Sequence, residues 1–153
     1  MINTKQLKNK IWQAFTLVEA LIVLLVCSTF LFLPVLAVKQ VKRSLEGEQF
    51  IAAFEKQLLF TQQLAIVDNH DTQVIFDETK QAVYFLASPS TEEVLTVPPD
   101  ITMSGPQKIT FKKGSGNNGT LSKYVFIWAN RRLKIDCQFQ LGSGRYVKKI
   151  KEY

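Results

Sequence analysis

One carboxylate, that of Glu19, stands inside an otherwise apolar stretch near the N-terminus, in the segment Ala14-Phe15-Thr16-Leu17-Val18-Glu19. A charged side chain at the centre of a membrane-spanning helix costs roughly 2.5–3.5 kcal/mol on insertion scales, so such a residue is expected to have a function and a partner. Because a carboxylate is least costly in lipid when a cation neutralises it, the chemistry predicted for Glu19 is ion pairing with a positive group.

The apolar run around Glu19 is long enough to cross a membrane as a helix. It extends from Phe15 to Val38 and would reach roughly 36 Å, against a hydrocarbon core about 30 Å thick. The residues before it carry only positive charges, at Lys5, Lys8 and Lys10. The positive-inside rule therefore predicts a single pass through the cell membrane, with the N-terminus in the cytoplasm and the chain beyond the run outside.

A short basic leader, a small residue and then Phe-Thr-Leu-Val-Glu at the start of a long apolar helix resemble the N-termini of type IV pilins and type II secretion pseudopilins. The resemblance implies cleavage by a prepilin peptidase between Ala14 and Phe15, N-methylation of Phe15, and assembly of the mature subunit into a filament. Glu19 is the fifth residue counted from Phe15, where the family has its assembly glutamate. Ala14 departs from the family's usual glycine, so we expect less efficient processing at most.

Cleavage at this bond would also create the amine that Glu19 lacks, because the new amino group of Phe15 would lie at a similar depth in a neighbouring subunit. Two alternatives remain open. Glu19 of an ordinary membrane anchor would extend to the cytoplasmic interface, and signal peptidase cleavage after Ala37 would release a secreted domain. Lipidation of Cys27 is disfavoured, because the bulky Val26 stands where a lipoprotein signal needs a small residue.

The chain is predicted to have four segments. They are a basic leader (1–14), a transmembrane or filament-core helix (15–38), an amphipathic continuation of that helix (39–67) and an extracellular β-rich part (68–153). Pro34 removes a backbone hydrogen bond from the second segment, so we expect a kink there. That kink either loosens the helix for packing into a filament or is simply tolerated in an anchor.

The amphipathic continuation has one apolar face. Phe50, Phe54 and Leu58 recur every four residues, and Thr61 and Ala65 continue the same face. This period predicts a helix over roughly Ser44 to Val67, with an interruption near Gly47. The segment 68–71 then favours a turn, in which His70, the only histidine, is expected to be solvated.

The rest of the chain is predicted to be β-structure. Seven short segments are rich in β-branched and aromatic residues: Thr72–Phe76, Ala82–Ala87, Glu93–Val97, Lys108–Lys112, Tyr124–Ala129, Arg132–Leu141 and Arg145–Ile150. Asn130-Arg131 is a plausible hairpin turn. A long helix packed on an antiparallel sheet, the α+β fold class, satisfies this order of elements.

This layout of a long helix followed by short strands is similar to the minor pseudopilins, and most similar to the D-type minor pseudopilins of the Gram-positive competence pilus. The resemblance implies a structural subunit that initiates or caps a pilus for DNA uptake. Its partners would be other minor pseudopilins, the major pilin, the prepilin peptidase and a membrane assembly platform with its ATPase. A pseudopilin of a type II-like secretion system, or an anchored or secreted binding domain that does not polymerise, remains the alternative.

Charge is unevenly distributed along the chain. Residues 44–106 contain ten acids and two bases, whereas residues 107–153 contain eleven bases and two acids. Such asymmetry favours contact between stacked subunits or attraction to DNA phosphates, unless it is only a solvated surface. The residues that could contact DNA or a partner are Arg131, Arg132, Lys134, Arg145, Lys148, Lys149 and Lys151. Tyr146 and Tyr153 lie between or beside them, as stacking on single-stranded bases would need.

No catalytic constellation is recognisable in the sequence. The single histidine lies in a turn, and Glu92 and Glu93 are neighbours whose side chains would point to opposite faces of a strand. Cys27 and Cys137 belong to different parts of the molecule and are expected to be free thiols. We therefore expect neither enzyme activity nor a metal or other cofactor.

Overall fold

The computed structural model describes residues 4–88 and 91–153, with the side chains of all of these except 4–16, 33–37, 39, 40, 88 and 91. The chain divides into two compact units, Met1–Lys42 and Arg43–Tyr153. The helix α1 (Thr4–Val67) contributes to both.

In the first unit, α1 has exposed apolar side chains on every side. Each large apolar residue described from Leu17 to Phe32 is 43–73% exposed. The hydroxyls of Ser28 and Thr29 donate to the carbonyls of Leu25 and Val26 at 2.8 Å and 2.7 Å, so these polar groups are satisfied within the helix. Within the residues described, no helix combines the length and apolar character needed to cross a membrane. Part of the predicted span, residues 15, 16 and 33–37, lies outside the described side chains.

As described, the second unit contains the C-terminal part of α1 and eight strands that pair antiparallel. The strands are β1 (Thr72–Asp77), β2 (Ala82–Ser88), β3 (Thr91–Thr96), β4 (Ile101–Ser104), β5 (Lys108–Phe111), β6 (Lys123–Trp128), β7 (Leu133–Phe139) and β8 (Tyr146–Glu152). The first sheet has the order β3-β2-β1-β5, and the second sheet has the order β4-β6-β7-β8. The predicted α+β class and antiparallel pairing are thus confirmed. The strands form two sheets rather than one.

Phe54 of α1 lies where the helix meets both sheets. Its ring makes edge-to-face contacts with Phe85 of the first sheet at 5.9 Å, and with Tyr124 and Phe126 of the second at 5.5 Å and 5.0 Å between centroids. The predicted apolar face of the helix is confirmed, since all five of its residues are buried: Phe50, Phe54, Leu58, Thr61 and Ala65. The helix stripe and both sheets therefore form one core.

The predicted helix interruption near Gly47 is wrong, because α1 continues through this residue. Gly47 is buried, and a Cβ added to it would come within 2.8 Å of Cε2 of Trp128. Glycine is present here because an aromatic ring packs directly on the helix backbone, a close approach that any side chain would obstruct.

Two strand predictions also need correction. The four-residue strand β4 (Ile101–Ser104) was not expected, because its sequence is short and follows two prolines. Conversely, Leu141 lies beyond the end of β7 and is 71% exposed. The chain reverses there through Gly142 and Gly144, which have φ values of 73° and 63°, a left-handed conformation that glycine adopts without strain.

Candidate functional site

The predicted processing and assembly residues all lie on α1. Ala14 and Phe15 are within its helical range, but their side chains are outside those described, as is that of Pro34. Glu19 is exposed and lines a shallow groove with Ala20, Val23, Leu24 and Cys27. Val23 and Cys27 are one and two further helical turns along the same side. The groove thus presents a single carboxylate on an apolar surface, an arrangement that suits a cation.

Glu19 has no hydrogen-bond or ion-pair partner among the described residues. The neighbouring polar groups of Ser28 and Thr29 are occupied by the helix backbone. A carboxylate moved into lipid or into a filament core in this state would need a partner from outside the described part of the chain.

Arg131 of the predicted cationic cluster is bound to the helix of its own chain. Its Nη2 lies 2.5 Å from Oε1 of Glu48, and its Nε donates to Oγ of Ser44 at 2.8 Å. Its guanidinium also lies over the Trp128 ring, 4.7 Å from the ring centre, which favours a cation–π contact. Arg131 is therefore used to position α1 on the second sheet.

Lys148 makes a second link of this kind, through an ion pair with Glu55. Glu48 and Glu55 are two helical turns apart and face the same side, so they meet Arg131 of the β6–β7 turn and Lys148 of β8. The sequence contains this signal as two acids seven residues apart, but only the fold shows which bases they meet.

The other cations of the cluster are divided among different places. Arg132 follows the hairpin turn with φ of 52°, and Arg145 is exposed in the loop before β8. Lys134 and Lys151 are cross-strand neighbours on the outer face of the second sheet, and Asp136 stands beside Lys149 in the same register. The fold thus brings three lysines together at the edge formed by β7 and β8.

The two tyrosines near the cationic cluster have different surroundings. Tyr146 is half-buried and packs against Phe139 with 6.0 Å between ring centres, whereas Tyr153 is 63% exposed at the chain end. Burial raises the pKa of the Tyr146 hydroxyl to about 12, in keeping with a position at the core boundary.

Cys137 and His70 have the surroundings of structural rather than reactive residues. Both cysteines are free thiols, as predicted. Burial raises the pKa of the Cys137 thiol to about 12, so it is not a thiolate at neutral pH. His70 is half-buried rather than solvated, with Nε2 2.6 Å from the carbonyl oxygen of Ala87. No cluster of potential metal ligands occurs in the described ranges.

Comparisons of this chain with protein-family models, with curated proteins and with solved structures gave no match.

Proposed function

We propose that the chain is a minor pilin-like, non-catalytic subunit of a type IV filament, namely a competence pilus for DNA uptake, with a D-type minor pseudopilin role. The observation that carries the proposal is Glu19, a carboxylate without a partner among the described side chains, on a helix segment whose described apolar side chains are exposed all round. A helix of this kind needs lipid or other helices around it. A filament core supplies both the apolar cover and, at each subunit, a new amine.

In this mechanism, prepilin peptidase cuts between Ala14 and Phe15 at the cytoplasmic side of the cell membrane. The amino group of Phe15 is then methylated and remains positively charged. When an assembly platform with its ATPase lifts a subunit from the membrane, Glu19 pairs with this amine on a neighbouring subunit. Removing one member of a buried ion pair costs about 3–5 kcal/mol, so the pair selects the correct axial position during assembly.

The partners in this proposal are other minor pseudopilins and the major pilin, with membrane lipid before assembly and a cell-surface pilus afterwards. Contact with DNA is indirect, because Arg131 and Lys148 are engaged with Glu48 and Glu55. Tyr146 packs on Phe139 rather than presenting its face to a base.

The proposal is tested by Glu19→Ala in the natural host. We expect the variant to be cut after Ala14 like the wild type but to be missing from sheared filaments, because its removal leaves the amine of the neighbouring subunit unpaired. Transformation frequency should fall to that of a deletion strain. Both are measured by immunoblots of membrane and filament fractions and by a transformation assay.

Glu78→Ala is the matched control, since Glu78 is an exposed glutamate of the β1–β2 turn. It should leave cleavage, incorporation and transformation unchanged. Normal incorporation of Glu19→Ala into filaments would refute the assembly role. Normal transformation in the deletion strain, with loss of protein secretion, would instead favour the type II-like system.

A further inference from the structure

The two sheets leave two strand edges open. In the first sheet β3 is terminal, and in the second β8 is terminal. The opposite edges are partly closed: the backbone N–H of Met103 in β4 donates to Oε1 of Gln81 at 3.4 Å, and Phe111 in β5 forms a bridge with Asn118. No described segment pairs with the free side of β3 or β8. Open edges present unpaired N–H and C=O groups that can accept another strand.

These two open edges carry opposite charges. Strand β3 exposes Glu92 and Glu93, and the exposed part of β8 includes Lys149 and Lys151. None of these four has an ion-pair partner within the described ranges. Pairing β3 with β3 would bring the glutamates of two copies close together, and pairing β8 with β8 would bring their lysines close together, which is unfavourable. Only a contact of β3 with β8 is favoured by charge.

We propose that β3 of one copy of this chain adds to β8 of a second copy as an antiparallel strand. One register satisfies both the charged and the apolar residues. When Glu92 stands opposite Lys149, Val94 stands opposite Val147 on the same face, because antiparallel partners have a constant sum of residue numbers. Val94 and Val147 are 47% and 40% exposed in the single chain, so this register also buries apolar surface.

Neighbouring registers are worse. Shifting the strands by two residues in one direction sets Glu92 opposite Val147. In the other direction Glu92 still faces a base, Lys151, but Val94 stands opposite Lys149, so the apolar contact is lost. A shift by one residue turns the side chains to the wrong faces. The register with Glu92 opposite Lys149 is therefore the one that this pairing selects.

A contact between two different edges of the same chain is head-to-tail. Each added copy leaves a free β3 at one end and a free β8 at the other, so the contact extends into an open chain unless its rotation closes a ring. Both strands belong to the unit Arg43–Tyr153. The pairing therefore requires neither leader cleavage nor Glu19, and it goes beyond the proposed function.

The experiment uses the full chain in detergent micelles, with association followed by sedimentation velocity at low and high salt. The wild type should associate with rising protein concentration, and less so at high salt because salt screens exposed charges. The variants E92K and K149E should each associate at least about 10-fold more weakly, because each sets like charges opposite one another. An equimolar mixture of the two should recover association, since each variant then finds an edge of opposite charge.

The control variants E78K and K56E make the same charge changes at exposed positions outside the two edge strands and should behave as the wild type. In a C27S background, E92C mixed with K149C should form a disulfide-linked dimer, because paired strands bring Cα atoms within disulfide range. The proposal is overturned if the wild type stays monomeric at low salt, if the charge variants associate like the wild type, or if the mixture does not recover association.

Discussion

Individual charged residues in this protein connect one secondary-structure element to another through ion pairs. Glu48 pairs with Arg131 of the β6–β7 turn, Glu55 pairs with Lys148 of β8, and Asp71 binds the turn after β5. The Asp71 carboxylate accepts hydrogen bonds from the Lys113 backbone N–H at 2.9 Å and from Lys112 Nζ at 3.0 Å. The backbone bond, followed by the lysine side chain, lowers the pKa of Asp71 below its ordinary 3.8. Sequence composition did not indicate this contact, because its partners are about forty residues apart.

Acid should therefore weaken the fold through Asp71. Its folded-state pKa is depressed, so its stabilising contribution is complete above the unfolded value and is lost as pH falls through the folded one. Urea unfolding of the wild type between about pH 5 and pH 2 should show a falling free energy of unfolding. The D71N variant should show a smaller fall over the same range, and an identical pH dependence of the two proteins would contradict the assignment.

At the scale of elements, local sequence patterns predicted which segments form helix and strand, but they did not predict how the strands pair. The spacing of Phe50, Phe54 and Leu58 predicted the buried helix face, and β-branched and aromatic runs predicted seven of the eight strands. The division into two sheets was not predictable, because strand order depends on contacts between distant residues that no local period encodes. The helix interruption predicted at Gly47 is wrong for the same reason, because this glycine makes room for the ring of Trp128, which is distant in the sequence.

Phe54 should be the most sensitive position of the helix. It is fully buried between the two sheets, whereas Phe60 on the same helix is 46% exposed. F54A should lower the free energy of unfolding by about 3–5 kcal/mol, because it removes a buried ring and leaves a cavity. F60A makes the same chemical change at an exposed site and should cost far less. Equal losses for the two variants in urea unfolding would show that the helix does not pack through Phe54.

At the scale of the whole molecule, the sequence predicted the first candidate site, on α1, whereas the fold was needed to find the second, on the edge strands. Glu19 was predicted from the sequence alone, because a lone acid in an apolar run is visible without a fold, whereas the roles of Ala14 and Phe15 are implied by the resemblance to type IV pilins. The edge strands β3 and β8 became a candidate contact only when the sheet order showed that both edges are open. The charge asymmetry between residues 44–106 and 107–153 can be read from the sequence, but the sequence does not show which strands carry these charges.

The intact mass of the protein purified from membranes of its natural host tests the central claim most directly. We expect a chain that begins at Phe15, lacking residues 1–14 and carrying one added methyl group. That product would contain the amine that Glu19 is proposed to bind. A mature chain that still begins at Met1 would contradict the account, and one that begins at Val38 would show release by signal peptidase instead.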